Sequence, residues 1–186
     1  MNYIFIGMRG AGKSNVSRRL SVMVKRPVFS TDLMIEYENG GKTIPQIIEE
    51  NGGDWRAFRD MEYQTLLKIA KLDEIIIDCG GGVIVDLDEN GNEIFSDRKV
   101  AALRSCGTII WLKGDIKKLA AKTKGSEKRP TLDARKSAEE ILERRLPFYV
   151  KAADLVIDIG NKKRRVIADD IFAMIEAGKI NPRRDP

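Results

Sequence analysis

Two kinds of apolar pattern alternate along this chain. Short β-branched runs are separated by longer stretches in which apolar residues return every three or four positions. The short runs, Asn2–Ile6, Pro27–Ser30, Glu74–Cys79, Thr108–Leu112 and Leu155–Ile159, predict five strands. Helical spacing predicts helices over Lys13–Met23, from Asp32 to the Gly40-Gly41 stop, and from Thr43 with Pro45 in its first turn. Asp54–Leu72 is the longest helical pattern, with Trp55 and Phe58 as core residues. Further helices are predicted over Ser96–Cys106, Asp115–Thr123, Ser137–Ala152 with a kink at Pro147, and Arg164–Ala177. Thr31-Asp32 suits the cap of its helix, and acidic, glycine-containing Asp86–Asn92 reads as an exposed loop. Strands alternating with helices predict a three-layer α/β domain spanning residues 1–186. Its five-stranded parallel sheet is flanked by helices, and ligands belong at the carboxyl ends of the strands.

The first strand runs directly into Gly7-Met8-Arg9-Gly10-Ala11-Gly12-Lys13-Ser14, and a helix follows. This G-x-x-x-x-G-K-S pattern between strand and helix is a phosphate-binding loop. Its glycines let successive N–H groups point inward, and the helix adds the positive end of its dipole. Lys13 supplies a mobile cation for the β- and γ-phosphates, and the Ser14 hydroxyl is placed to ligate Mg²⁺. The expected ligand is a nucleoside triphosphate, held by Gly10, Ala11, Gly12, Lys13, Ser14 and Asn15.

Composition narrows the class. With 186 residues, 42% hydrophobic and 33% charged, the chain has the mix of one soluble globular domain. Its apolar runs fall well short of a membrane span, so no membrane partner is expected. Met1 stands directly before the first strand, and only Cys79 and Cys106 are present. No signal peptide and no disulfide framework are therefore expected, and the cytoplasm is the expected compartment. The net charge of +5 comes from scattered cations, which suits an enzyme handling anions; no nucleic-acid partner is expected. There is no histidine, so acid–base work falls to a carboxylate, a lysine or water.

Three features bear on the phosphoryl acceptor. Arg129-Pro130 lies in a polar stretch, Lys124–Lys136, suited to a mobile lid that brings a guanidinium onto phosphate. Gly80-Gly81-Gly82 follows a buried strand, as expected where backbone approaches a ligand. Asp32, Arg59 and Arg145 fall near the carboxyl ends of strands or on the segments after them, suiting a small polyol that carries a carboxylate. Each also has a plainer reading. Arg59 and Arg145 could pair with acids such as Glu62 or Glu143, Asp32 could be a helix cap, and Asp78 a strand-end turn residue.

Taken together, these residues resemble the shikimate kinases, within the nucleoside monophosphate kinase-like fold. The resemblance spans nearly the whole chain through Gly7–Ser14, Thr31–Glu36, Phe58–Glu62, Gly80–Gly82, Arg129-Pro130 and Arg144–Tyr149. It implies MgATP-dependent phosphorylation of the shikimate 3-hydroxyl by a monomer acting on small molecules. Under it Asp32 binds substrate hydroxyls and is a candidate base that orients or deprotonates the attacking one, Arg59 and Arg145 grip the carboxylate, and the backbone of Gly80, Gly81 and Gly82 lies against the substrate. It also assigns Arg129 to the phosphates, and Lys122 and Arg164 to the adenine side. The substrate helices occupy about 32–72. The family's D-x-D is here Ser30-Thr31-Asp32, so the aspartate that holds water on Mg²⁺ is a serine. Asp78, at the end of the third strand, is a substitute carboxylate for the metal. The region Val83–Arg104 is also longer than the family pattern. A gluconate kinase, or a nucleotide-binding regulator without catalysis, remains the alternative.

Overall fold

A computed structural model describes residues 1–123 and 137–180. The predicted lid at 124–136, with Arg129, and the residues after 180 lie outside the described residues. In chain order the elements are β1 (Asn2–Ile6), α1 (Lys13–Val24), β2 (Val28–Ser30), α2 (Thr31–Glu38), α3 (Ile44–Glu50), α4 (Trp55–Ile69) and β3 (Ile76–Asp78). Then follow β4 (Val85–Leu87), β5 (Glu93–Phe95), α5 (Asp97–Cys106), β6 (Gly107–Lys113), α6 (Ile116–Thr123), α7 (Ala138–Ala152), β7 (Leu155–Asp158) and α8 (Arg164–Glu176).

Five strands form one parallel sheet in the order β2-β3-β1-β6-β7, flanked by helices as the alternation predicts. The central strands are covered on both faces, which is why they read as unbroken apolar runs rather than alternating ones. Ile4, Phe5, Ile6, Ile76, Ile77, Ile110 and Leu112 are all buried. A second, smaller core of Ile35, Ile44, Ile47, Ile48 and Phe58 joins α2, α3 and α4, with Trp55 and Met61 packed against it. This cluster holds the predicted substrate helices together apart from the main core.

Two local expectations are corrected. The cap of α2 is Ser30, whose hydroxyl accepts from the Leu33 N–H; Thr31 and Asp32 lie inside the helix. Asp86–Asn92 is not a plain loop. Val85–Leu87 and Glu93–Phe95 pair antiparallel as a hairpin, with Val85 and Glu93 buried. Its turn is set by Asp88, whose carboxylate accepts from the N–H groups of Asn90 and Asn92, and by Gly91 at φ 80°. The helix α7 runs through Pro147, with Ser137 and Glu140 forming the predicted capping box.

Candidate active site

The carboxyl ends of β1, β2 and β3 converge on one cleft of about 720 Å³, lined among others by Lys13, Ser14, Ser30, Asp32, Asp78 and Gly80. Sheet register explains the convergence: Phe5 stands opposite Asp78, and Ser30 stands opposite Asp78 on the other side. The phosphate loop leaves β1 through Gly7, Gly10 and Gly12, all at positive φ, and Gly12 caps α1 in the left-handed conformation without any side-chain cap. A side chain at Gly12 would be strained and would also strike Arg164, which therefore lies directly over the loop. Lys122 flanks the loop as well, its Cβ lying 3.6 Å from where a side chain on Gly10 would begin. The two residues assigned to the adenine side thus border the loop from α6 and α8.

Lys13 is more enclosed than a loop lysine is expected to be, at 8% exposure. Its ammonium donates to the carbonyls of Gly7 at 2.8 Å and Met8 at 3.3 Å. Asp78 is buried at the end of β3 and accepts a hydrogen bond from Ser14. Burial pushes its carboxyl above the ordinary range, Ser14 and Lys13 work against that, and Asp32 adds to it. Asp78 is therefore no turn residue; it faces the phosphate loop. The oxygen set of Ser14 and Asp78 fits a hard divalent cation. No group of three or more acidic, histidine or cysteine ligands exists among the described residues.

The glycine triplet borders this cleft and also meets a second cluster of side chains. A methyl on Gly80 would collide with the Asp32 carboxylate, and the Gly80 N–H donates to the Thr31 hydroxyl at 2.9 Å. The absence of a side chain there lets Asp32 reach past the end of β3. A Cβ on Gly82 would lie 2.7 Å from the Arg59 guanidinium. Arg59 donates to Glu62 at 2.8 Å and to the Gly82 carbonyl at 3.5 Å, while its Nε has no partner. Arg145 donates from Nη1 to the Gly81 carbonyl at 3.4 Å and from Nε to Glu93 at 3.0 Å. The Tyr149 hydroxyl also donates to the Gly81 carbonyl. Sequence reading offered ion pairs with Glu62 and Glu143 as the plain roles of these arginines. The first pair forms; the second partner is Glu93, from the hairpin.

Both partner acids are deeply buried and still held ionised. Burial pushes Glu62 up, but Arg59 and Lys99 together bring it below the ordinary carboxylate range. Glu93 behaves alike, with burial opposed by Arg145 and Arg144. Lys99, fully buried, donates to Glu62 at 2.9 Å and to the Val85 carbonyl at 2.7 Å. Glu93 and Lys99 were not singled out from sequence. The signal for Glu93 was its odd place, an acid preceding Ile94-Phe95 across an Asn-Gly turn from Val85-Asp86-Leu87.

Arrangement and relatives agree. The family model for shikimate kinase matches residues 9–176. The chain is 46% identical over 175 residues to a shikimate kinase of Leptospira biflexa serovar Patoc, covering 94% of this chain and 96% of that one. It is 42% identical to a shikimate kinase of Leptospira borgpetersenii serovar Hardjo-bovis, covering 94% and 98% of the two chains. Among solved structures, shikimate kinase from Acinetobacter baumannii in complex with shikimate superposes with a TM-score of 0.81 at 26% identity, covering 97% of this chain and 95% of that one. With its phosphate loop, carboxylates and paired arginines at the ends of three parallel strands, this chain belongs to the shikimate kinase family.

Proposed function

We propose that the protein transfers the γ-phosphoryl group of ATP to the 3-hydroxyl of shikimate, giving shikimate 3-phosphate and ADP. The observation that carries this reading is spatial: the glycine triplet that lines the phosphate-loop cleft meets Asp32 at Gly80, Arg145 at the Gly81 carbonyl and Arg59 at the Gly82 carbonyl. An acceptor lying along Gly80–Gly82 would present a hydroxyl to Asp32 and a carboxylate to the guanidiniums. Phosphoryl transfer requires little covalent chemistry from the protein, so positioning and charge compensation dominate. Lys13 would leave the Gly7 and Met8 carbonyls for the phosphates, joined by Arg129. Asp32 would orient the acceptor hydroxyl and take its proton. Ser14 and Asp78 would hold Mg²⁺, which supplies charge neutralisation to the phosphate oxygens when bound. Among the described residues no helix is long and apolar enough to cross a membrane, and a cytoplasmic monomer is the form we assign to it.

An assay of ADP release with shikimate, gluconate and no acceptor tests the assignment. Turnover with shikimate alone is the expected result. Turnover with gluconate, or none with either acceptor, would replace this reading by one of its alternatives.

Arg59→Lys and Arg145→Lys should each raise the KM for shikimate roughly 10- to 100-fold and leave that for ATP nearly unchanged. Lysine keeps the charge but loses the planar two-point contact, and a hydrogen bond to a charged group contributes about 1.5–3 kcal/mol. Equal effects on both substrates would remove these arginines from the acceptor site.

The serine at position 30 leads to a prediction about metal. If Asp78 supplies the missing acid, wild type needs ordinary Mg²⁺, Asp78→Asn loses about 10- to 100-fold in metal affinity or activity, and Ser30→Asp gains little. The register that sets Ser30 beside Asp78 favours this outcome. Activity against free Mg²⁺ for the three proteins is the measurement. Full activity of Asp78→Asn at low Mg²⁺ would exclude the substitution of one acid for the other.

A further inference from the structure

The β4–β5 hairpin carries one buried acid, Glu93, and it points at a substrate arginine. From this placement we infer that Glu93 is a positioning residue for Arg145, and that the hairpin is thereby part of the acceptor site. The inference rests on the reading that Arg145 grips the acceptor's carboxylate.

Glu93 is fully enclosed, with a side-chain exposure of 0%. It accepts from Nε and Nη2 of Arg145 and, at 2.8 Å, from Nη2 of Arg144. One edge of the Arg145 guanidinium is thus fixed on a carboxylate, while Nη1 reaches the Gly81 carbonyl. Arg59 is held through one nitrogen only: its Nη1 donates to Glu62 at 2.8 Å and faces the Gly82 carbonyl at 3.5 Å, and its Nε has no partner. Two guanidiniums are therefore each held between a buried glutamate and a carbonyl of the glycine triplet. An arginine free to rotate would lose much conformational entropy on gripping a ligand; one already held loses little.

The hairpin is anchored firmly enough to serve this purpose. Asp86 accepts from the Ser96 hydroxyl at 2.6 Å and from Arg98 at 2.8 and 2.9 Å. Lys99 ties the Val85 carbonyl to Glu62, the acid that holds Arg59. The same hairpin therefore connects to both arginines, through Glu93 on one side and Lys99 on the other.

The test measures kcat and both KM values for Glu93→Gln, Arg145→Lys and the double variant. Glu93→Gln should raise the KM for shikimate roughly 10-fold while the KM for ATP stays within about twofold. The double variant should be little worse than Arg145→Lys alone, because residues acting through one contact are not additive. If Glu93→Gln does not yield folded protein, Glu93→Asp keeps the charge but sits one methylene short, and it should raise the same KM selectively. An unchanged or lowered KM for shikimate in the folded variant, or an equal rise in both KM values, overturns the inference. If Arg145→Lys raises the KM but neither Glu93 variant does, only the role of Glu93 fails. If Arg145→Lys leaves it unchanged, the acceptor-site reading fails along with the inference.

Discussion

Replacing Lys13 by alanine is expected to lower kcat by about two to three orders of magnitude, the cost of losing one preorganised charge partner of the transition state. Its present contacts add a second, smaller effect. The ammonium bonds the carbonyls of Gly7 and Met8, and the side chain is almost wholly enclosed. Removing it should cost about 1 kcal/mol of stability, the net value of an ordinary hydrogen bond, and so lower Tm by about 2–4 °C. Far-ultraviolet circular dichroism at 25 °C should stay unchanged. An alanine variant that turned over at near-normal rate would remove the loop from catalysis, whatever its stability. A collapse of the fold would instead show that the lysine's structural bonds dominate.

Asp32→Asn should reduce kcat by roughly 10²- to 10⁴-fold, the usual contribution of a positioned general base. The KM for ATP should move little, since the carboxylate sits beside Gly80 rather than on the phosphate loop. Asparagine keeps the size and a hydrogen-bonding oxygen, so the helix start and the packing against Gly80 survive. The capping role that aspartate could have filled belongs to Ser30, so loss of charge at Asp32 leaves the cap of α2 intact. Steady-state kinetics with saturating shikimate distinguishes the cases. A kcat within about threefold of wild type would mean that Asp32 only orients the hydroxyl and that the proton leaves by another route.

The phosphate loop was fully legible because its chemistry is local: eight consecutive residues between a strand and a helix specify it. The five-stranded sheet was legible for a related reason, since buried parallel strands stand out as apolar runs. Sequence spacing could not show pairings across long separations. Glu93 and Arg145 are 52 residues apart, and Glu62 and Lys99 are 37 apart. Nothing in either neighbourhood names the partner. The hairpin was read as a loop because its strands are three residues each, too short for alternation to compete with the surrounding acids and glycine. The Asn90-Gly91 pair carried the turn signal, and it was outweighed by composition. The enclosure of Lys13 rests on partners that are backbone carbonyls, which a sequence does not display.

Ser30 and Asp78 end two neighbouring parallel strands in register, so their backbones lie about 4.8 Å apart. On the proposed role of Asp78, a metal site built across this pair is indifferent to which strand carries its acid. In the history of a lineage, an acid can therefore arise on one strand before it disappears from the other. A chain with both acids suffers like-charge repulsion only while no cation lies between them. On the same proposal, the passage from one arrangement to the other need not pass through a chain that lacks both acids. Position 30 keeps its second task along this path, because aspartate caps a helix as well as serine does. The α2 helix, with the substrate helices that pack on it, would not register the exchange.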